Sequence, residues 1–125
     1  MNILFVEDDA MNRRVVKDML SVIGAEMAEA PEAETGLQMV DEGNYTAILM
    51  DLRMPGMDGL TAIRHIRART DDKAKTPIIV VTADTAVDLR EQCMSAGADD
   101  VILKPVAMGL LLKAMSRMMS KAVLQ

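Results

Sequence analysis

Four short apolar runs in this chain each end in residues that can do chemistry. Phe5-Val6 leads into Glu7-Asp8-Asp9, and Ala47 to Met50 leads into Asp51. Val80-Val81 leads into Thr82, and Val101-Ile102-Leu103 leads into Lys104-Pro105. Taken singly, each has a bland reading, since an aspartate before Pro55, Gly56 and Gly59 is ordinary turn chemistry. Taken together, the carboxylates, hydroxyl and amine make a phosphoryl-transfer set. The Asp51 carboxylate can attack phosphorus and form an acyl phosphate. Lys104 can neutralise charge on the phosphoryl oxygens while the Thr82 hydroxyl donates to one of them. No residue in the set is placed as a base for a separate substrate.

Glu7, Asp8 and Asp51 pose an electrostatic problem if they meet. At an effective dielectric of 20, each pair ~5 Å apart repels by roughly 3 kcal/mol, so three pairs cost on the order of 10 kcal/mol before screening. A divalent cation relieves this. All-oxygen donors with room for water favour Mg²⁺, held by carboxylates and completed by phosphate. Zinc is disfavoured, because the sulfur and nitrogen donors Cys93 and His65 fall in predicted helices, away from the edge where the strand-end carboxylates gather. His65 reads as a residue of a solvated helix face.

The elements that must position these residues follow from the apolar spacing. Ile3 to Val6 reads as a buried strand, and Asp9 as the cap of a helix with Met11, Val15, Val16, Met19, Leu20 and Ile23 inward, stopped by Gly24. Asn12, Arg13, Arg14, Lys17 and Asp18 form its polar face. Glu26 to Ala30 reads as a weak edge strand, and Pro31 as the first turn of a second helix closed by Gly43-Asn44. Thr46 to Met50 is the next strand, with Asp51 at its tip. Asp58 caps a third helix that turns Leu60, Ile63 and Ile66 inward. Arg69 to Thr76 is a loop, and Ile78 to Val81 a strand. A weakly periodic helix runs from about Thr85 to Ala96-Gly97. Val101 to Leu103 is the last strand, and Val106 to Val123 the last helix.

Five strand–helix repeats with continuous apolar strands predict an α/β fold, a parallel sheet covered on both faces through right-handed crossovers. Parallel strands bring every strand-end residue to one edge, which is where such sheets carry their sites.

The 125 residues fit one domain. Half are hydrophobic, but aromatics are limited to Phe5 and Tyr45, and thirteen methionines supply adaptable filling instead. A net charge of −5 without a basic cluster argues against direct nucleic-acid binding. The single Cys93 forms no internal disulfide and fits a reduced compartment. No signal peptide or membrane span is present in the sequence pattern, so a soluble, cytoplasmic protein is expected. The last helix carries a narrow polar stripe of Lys113, Ser116, Arg117 and Ser120. Its apolar arc (Met108, Leu110, Leu111, Leu112, Ala114, Met115, Met118, Met119) is wider than packing on one sheet requires, which suits either burial or a partner surface.

The motif set resembles that of the receiver domains of two-component and phosphorelay response regulators, over essentially the whole chain. It comprises Val6-Glu7-Asp8, Met50-Asp51-Leu-Arg-Met-Pro55, Met57-Asp58-Gly59, Val81-Thr82-Ala83, Ala96-Gly97-Ala98-Asp99-Asp100 and Lys104-Pro105. The resemblance implies a five-stranded parallel sheet flanked by five helices, flavodoxin-like, in strand order 2-1-3-4-5. It implies Asp51 as phosphoacceptor and Thr82 and Lys104 as phosphoryl-binding residues. Mg²⁺ would be held by Asp8, Asp51 and the Arg53 carbonyl, with Glu7 acting nearby. A cis Lys104–Pro105 bond is also implied. The implied switch region is Thr82, Val101, Lys104 and Pro105, but Val101 stands where most members carry Tyr or Phe, so the usual aromatic relay is missing. Arg53 and Asp84, two residues past Asp51 and Thr82, are expected to pair across the mouth.

These residues predict a stand-alone receiver spanning 1–125, with no output domain. It would not be an enzyme beyond phosphorylating and dephosphorylating itself. Its donor would be a histidine kinase or histidine phosphotransfer protein, docking on the first helix, and its target a downstream protein. It would be a monomer or a phosphorylation-dependent dimer through the last helix. Two rivals are weaker. A haloacid-dehalogenase-like phosphatase requires a second aspartate where Arg53 stands. A flavodoxin-like electron carrier requires a phosphate-cradling loop where Glu7-Asp8-Asp9 would repel the ligand.

Overall fold

Strand and helix alternate from end to end in the computed structural model, which describes the backbone of residues 1–124 and the side chains of residues 1–118. The order is β1 (Asn2–Val6), α1 (Ala10–Ser21), β2 (Glu26–Ala30), α2 (Ala33–Glu42), β3 (Ala47–Asp51), α3 (Gly59–Arg67), β4 (Ile78–Thr82), α4 (Leu89–Ala96), β5 (Asp100–Leu103) and α5 (Met108–Leu124). The five strands are parallel in the order β2-β1-β3-β4-β5, as expected. The weak Glu26–Ala30 strand lies at an edge, where its two glutamates reach water.

The two-residue period of a strand divides the core into two layers. Leu4, Val6, Ile48, Met50, Ile78 and Val80 share one face with residues of α2, α3 and α4. Ile3, Phe5, Leu49, Ile79, Val81 and Ile102 share the other with Val16 and Leu20 of α1 and Leu111, Ala114 and Met115 of α5. Phe5 is fully buried, worth about 1.5–3 kcal/mol as a large apolar side chain. The register pairs Phe5 with Leu49 and Leu49 with Ile79. Glu7, Asp51 and Lys104 share the parity of Phe5, Leu49 and Ile102, so all three leave the sheet on the α1/α5 side.

Helix ends follow local chemistry. Asp9 caps α1, its Oδ1 accepting from Met11 N at 2.8 Å and Asn12 N at 3.4 Å. Asp58 caps α3 by accepting from Thr61 N at 2.8 Å. At the opposite pole, Gly97 takes a left-handed φ of +118°, and a Cβ there would lie 2.5 Å from Arg67 Cγ. That close approach lets Arg67 donate to the carbonyls of Gly97, Ala74 and Thr76 and to the Asp99 carboxylate at 2.7–3.0 Å.

Several boundaries depart from the sequence reading. Pro31 lies outside α2, which begins at Ala33 after an extended Glu32. The Arg69–Thr76 loop contains a 3₁₀ turn at Asp72–Lys75. α4 begins at Leu89, four residues after Thr85, because Asp84 Oδ1 accepts from Ala86 N at 2.9 Å and holds the chain in a local turn instead. In α1 only Val16 and Leu20 of the predicted apolar stripe are fully buried, while Met11, Val15 and Ile23 are exposed. α5 buries Leu111, Ala114 and Met115 but exposes Leu110; the Met119 and Ser120 side chains lie outside the described residues. The Lys104–Pro105 peptide is cis, as the resemblance implied.

Candidate functional site

The carboxyl ends of β1, β3, β4 and β5 meet around a cleft of about 220 Å³ lined by Glu7, Asp8, Asp9, Asn12, Asp51, Arg53, Thr82, Ala83 and Lys104. Sheet register brings this about. Val6 pairs with Met50, so Glu7 follows beside Asp51, and Lys104 N donates to Thr82 O at 2.8 Å. Behind Asp51, the first turn of α3 presses directly on the strand end. A Cβ on Gly59 would collide with the Asp51 carbonyl and lie 2.8 Å from Leu52 Cα, so only glycine permits that contact.

Glu7, Asp8 and Asp51 each present an oxygen within 4.8 Å of the others. Glu7 and Asp51 are buried, whereas Asp8 is exposed at the mouth. Lys104 is the ammonium facing them, with Nζ 2.8 Å from Glu7 Oε1 and 3.3 Å from Asp51 Oδ1. Burial raises the Glu7 carboxyl above the usual range, and the adjacent Asp51 adds to this. Hydrogen bonds from Lys104 and Asn12 pull the other way. Burial by itself would depress Lys104, but its bonds to Glu7 and the charge of Asp51 outweigh that and keep it firmly protonated.

Thr82 is buried, and its Oγ1 accepts from Asp84 N at 3.1 Å. An accepted bond leaves the hydroxyl hydrogen free to be donated elsewhere. Arg53 and Asp84 do pair across the mouth, at 2.6 Å, and the Arg53 side chain is largely in water. The neighbouring guanidinium holds the Asp84 carboxyl below its ordinary range. Val101, the position without an aromatic, is half-buried against the core layer of α2, α3 and α4. Pro105 is exposed beside the cleft rather than lining it. His65 is on the exposed face of α3, and Cys93 is buried with its thiol pushed up by burial; neither approaches the cleft lining.

The chemistry of the donor set fits a hard divalent cation: three carboxylates, all oxygen. Glu7 Oε2 is buried with no hydrogen-bond partner among the described residues, a state that a polar or cationic neighbour would relieve. Two residues that contact Glu7 were read from sequence only as part of a polar helix face. Asn12 Nδ2 donates to Glu7 Oε1 at 2.7 Å, and Arg13 donates to the Glu7 carbonyl at 2.7 Å and to Glu29 at 3.0 Å.

The family profile described as "Response regulator receiver domain" matches residues 3–116. The chain belongs to that family. It is 36% identical over 107 residues to the chemotaxis protein CheY of Pseudomonas aeruginosa, covering 84% of this chain and 85% of that one. It is 40% identical over 103 residues to the transcriptional regulatory protein ResD of Bacillus subtilis, but spans only 41% of that relative's length. Against hybrid signal transduction histidine kinase F of Dictyostelium discoideum the identity is 36%, over 10% of that kinase. Among solved structures, the receiver domain of the sensor histidine kinase PA1611 from Pseudomonas aeruginosa superposes with a TM-score of 0.86 at 34% identity, covering 95% of this chain and 97% of that one. That structure holds a magnesium ion coordinated in its active site cleft. These matches support neither a haloacid-dehalogenase-like phosphatase nor an electron carrier. No helix among the described residues is long and apolar enough to cross a membrane.

Proposed function

We propose that this receiver acts as a single-domain response regulator whose phosphoacceptor is Asp51. The observation that carries the reading is the Asp51 carboxylate, buried at a strand tip beside two further carboxylates and one ammonium 3.3 Å away. A carboxylate so placed is short of cationic partners, so it suits a reaction in which a divalent ion and Lys104 together offset the charge of the incoming phosphoryl group. An Asp51 oxygen attacks the phosphorus of a phosphohistidine, presented by a histidine kinase or histidine phosphotransfer protein. The new O–P bond forms as the N–P bond breaks, and the electron pair leaves with the imidazole. Lys104 and the Thr82 hydroxyl stabilise charge on the transferring oxygens. Asp8, Asp51 and the Arg53 carbonyl would hold Mg²⁺, with Glu7 behind them. When bound, the ion neutralises charge between carboxylate and phosphoryl group. The reaction is the protein's own phosphorylation and dephosphorylation, not turnover of a separate substrate.

Match to CheY over most of both lengths supports the single-domain reading. Met11 and Val15, exposed on α1 beside the cleft, suit docking of the phosphodonor. Leu103 and Leu110, exposed on β5 and α5, suit a downstream protein or a phosphorylation-dependent dimer. Switching would proceed through Thr82, Lys104 and Pro105 with Val101 in the aromatic's place.

Intact mass after incubation with Mg²⁺ and acetyl phosphate tests the reading. Wild type is expected to gain one phosphoryl group, and Asp51→Asn none. No adduct from either acetyl phosphate or a phosphohistidine donor would end it.

A further inference from the structure

Lys104 serves two carboxylates at once, and phosphorylation would draw it from one of them. In the structure its Nζ lies closer to Glu7 Oε1, at 2.8 Å, than to Asp51 Oδ1, at 3.3 Å. A phosphoryl group on Asp51 brings about 1.5 to 2 negative charges, so it competes strongly for the ammonium. Glu7 has no access to solvent and its Oε2 lacks a partner among the described residues. Were Lys104 to leave without a substitute donor, both Glu7 oxygens would be stranded in the interior. A stranded buried charge is strongly unfavourable.

A substitute is in place. Asn12 Nδ2 donates to the same Oε1 at 2.7 Å. Asn12 sits in the first turn of α1, where its own backbone N–H is 3.4 Å from the Asp9 cap. Its amide is neutral, so no new charge on Asp51 pulls it away. We propose that Asn12 is a positioning residue that keeps the Glu7 carboxylate anchored while Lys104 turns to the phosphoryl group, and so favours the phosphorylated state. This inference rests on Asp51 being the phosphoacceptor.

Beryllium fluoride with Mg²⁺ provides a stable phosphoryl analogue, and its affinity can be read by titration calorimetry. Wild type, Asn12→Ala and Asn12→Gln would be compared, each also in a Glu7→Gln background, with folding checked by circular dichroism. Asn12→Ala is expected to weaken analogue binding about tenfold, the worth of one hydrogen bond to a charged group. Asn12→Gln, which keeps an amide, is expected to recover most of that loss. With Glu7 already neutral as Gln, the effect of Asn12→Ala should shrink to about twofold or less. Affinity unchanged in Asn12→Ala, or an equal loss in both backgrounds, overturns the proposal. Should Asn12→Ala fail to fold, weak binding by a folded Asn12→Gln that is independent of Glu7 overturns it equally. Failure of wild type itself to bind the analogue would instead remove the phosphoacceptor reading, and this proposal with it.

Discussion

Buried carboxylates occupy both ends of the sheet, and they are treated in opposite ways. Asp100 opens β5 at the edge away from the cleft and is nearly inaccessible. Its Oδ1 accepts from Arg90 at 3.1 Å and from Val101 N at 2.8 Å, and its Oδ2 from Arg117 at 2.8 Å. Two guanidiniums thus serve one acid and tie α4 and α5 to the strand. At the other end one ammonium serves Glu7 and Asp51 together, and Glu7 Oε2 has no donor among the described residues. Burial is similar; the supply of cations is not. A carboxylate that holds a fold together is saturated with donors, whereas one that awaits a ligand is kept in deficit, at some cost to the resting state.

The sharpest way to break this contrast is to remove the lone ammonium. Lys104→Met should lower stability by about 3 kcal/mol, since it leaves two buried carboxylates without a cation. Urea denaturation in the absence of Mg²⁺ would measure it, and a negligible change would mean the pocket is already screened. Asp100→Ala should cost less, about 1.5 kcal/mol, mostly through the half-buried Val101 N–H losing its acceptor. Arg90 and Arg117 are more than half exposed and rehydrate readily. Thermal unfolding compared with Asp100→Asn, which still accepts from Val101, would isolate that bond.

Asp51→Asn should move the other way. Removing one of two acids that share one lysine relieves repulsion and is expected to stabilise the resting protein by about 1 kcal/mol. A loss of stability would show that the deficit at the cleft is illusory. The smallest effect belongs to Arg53→Ala, because the Arg53–Asp84 pair is largely exposed and such pairs contribute little to stability. Its unfolding midpoint should stay in place while the acyl phosphate, followed by loss of the mass adduct, decays faster. An unchanged lifetime would reduce the pair to a surface contact.

Much of this was legible without coordinates. Asp9 and Asp58 announce their helices because capping depends on a few adjacent residues. Glu7, Asp51, Thr82 and Lys104 could be placed on one edge because parallel strands all end on the same side. Asn12 was not legible as a site residue. On a helix wheel it belongs to a polar face, and periodicity does not distinguish water from a buried carboxylate as the neighbour of that face. The start of α4 was missed for a related reason: Asp84 withdrew the preceding residues into a turn of its own, while also meeting Arg53 from another strand end.

The sequence by itself determined the alternation of elements, the side of the sheet on which chemistry occurs, and the excess of negative charge gathered there. These follow from local periodicity, chain direction and residue type. Only the tertiary structure decided how that charge is shared. Lys104 and Glu7 are 97 positions apart, and Arg90, Asp100 and Arg117 come from three different elements. Which acid is saturated and which left wanting depends on distances of a few ångströms between such residues, and packing of the whole chain sets those distances.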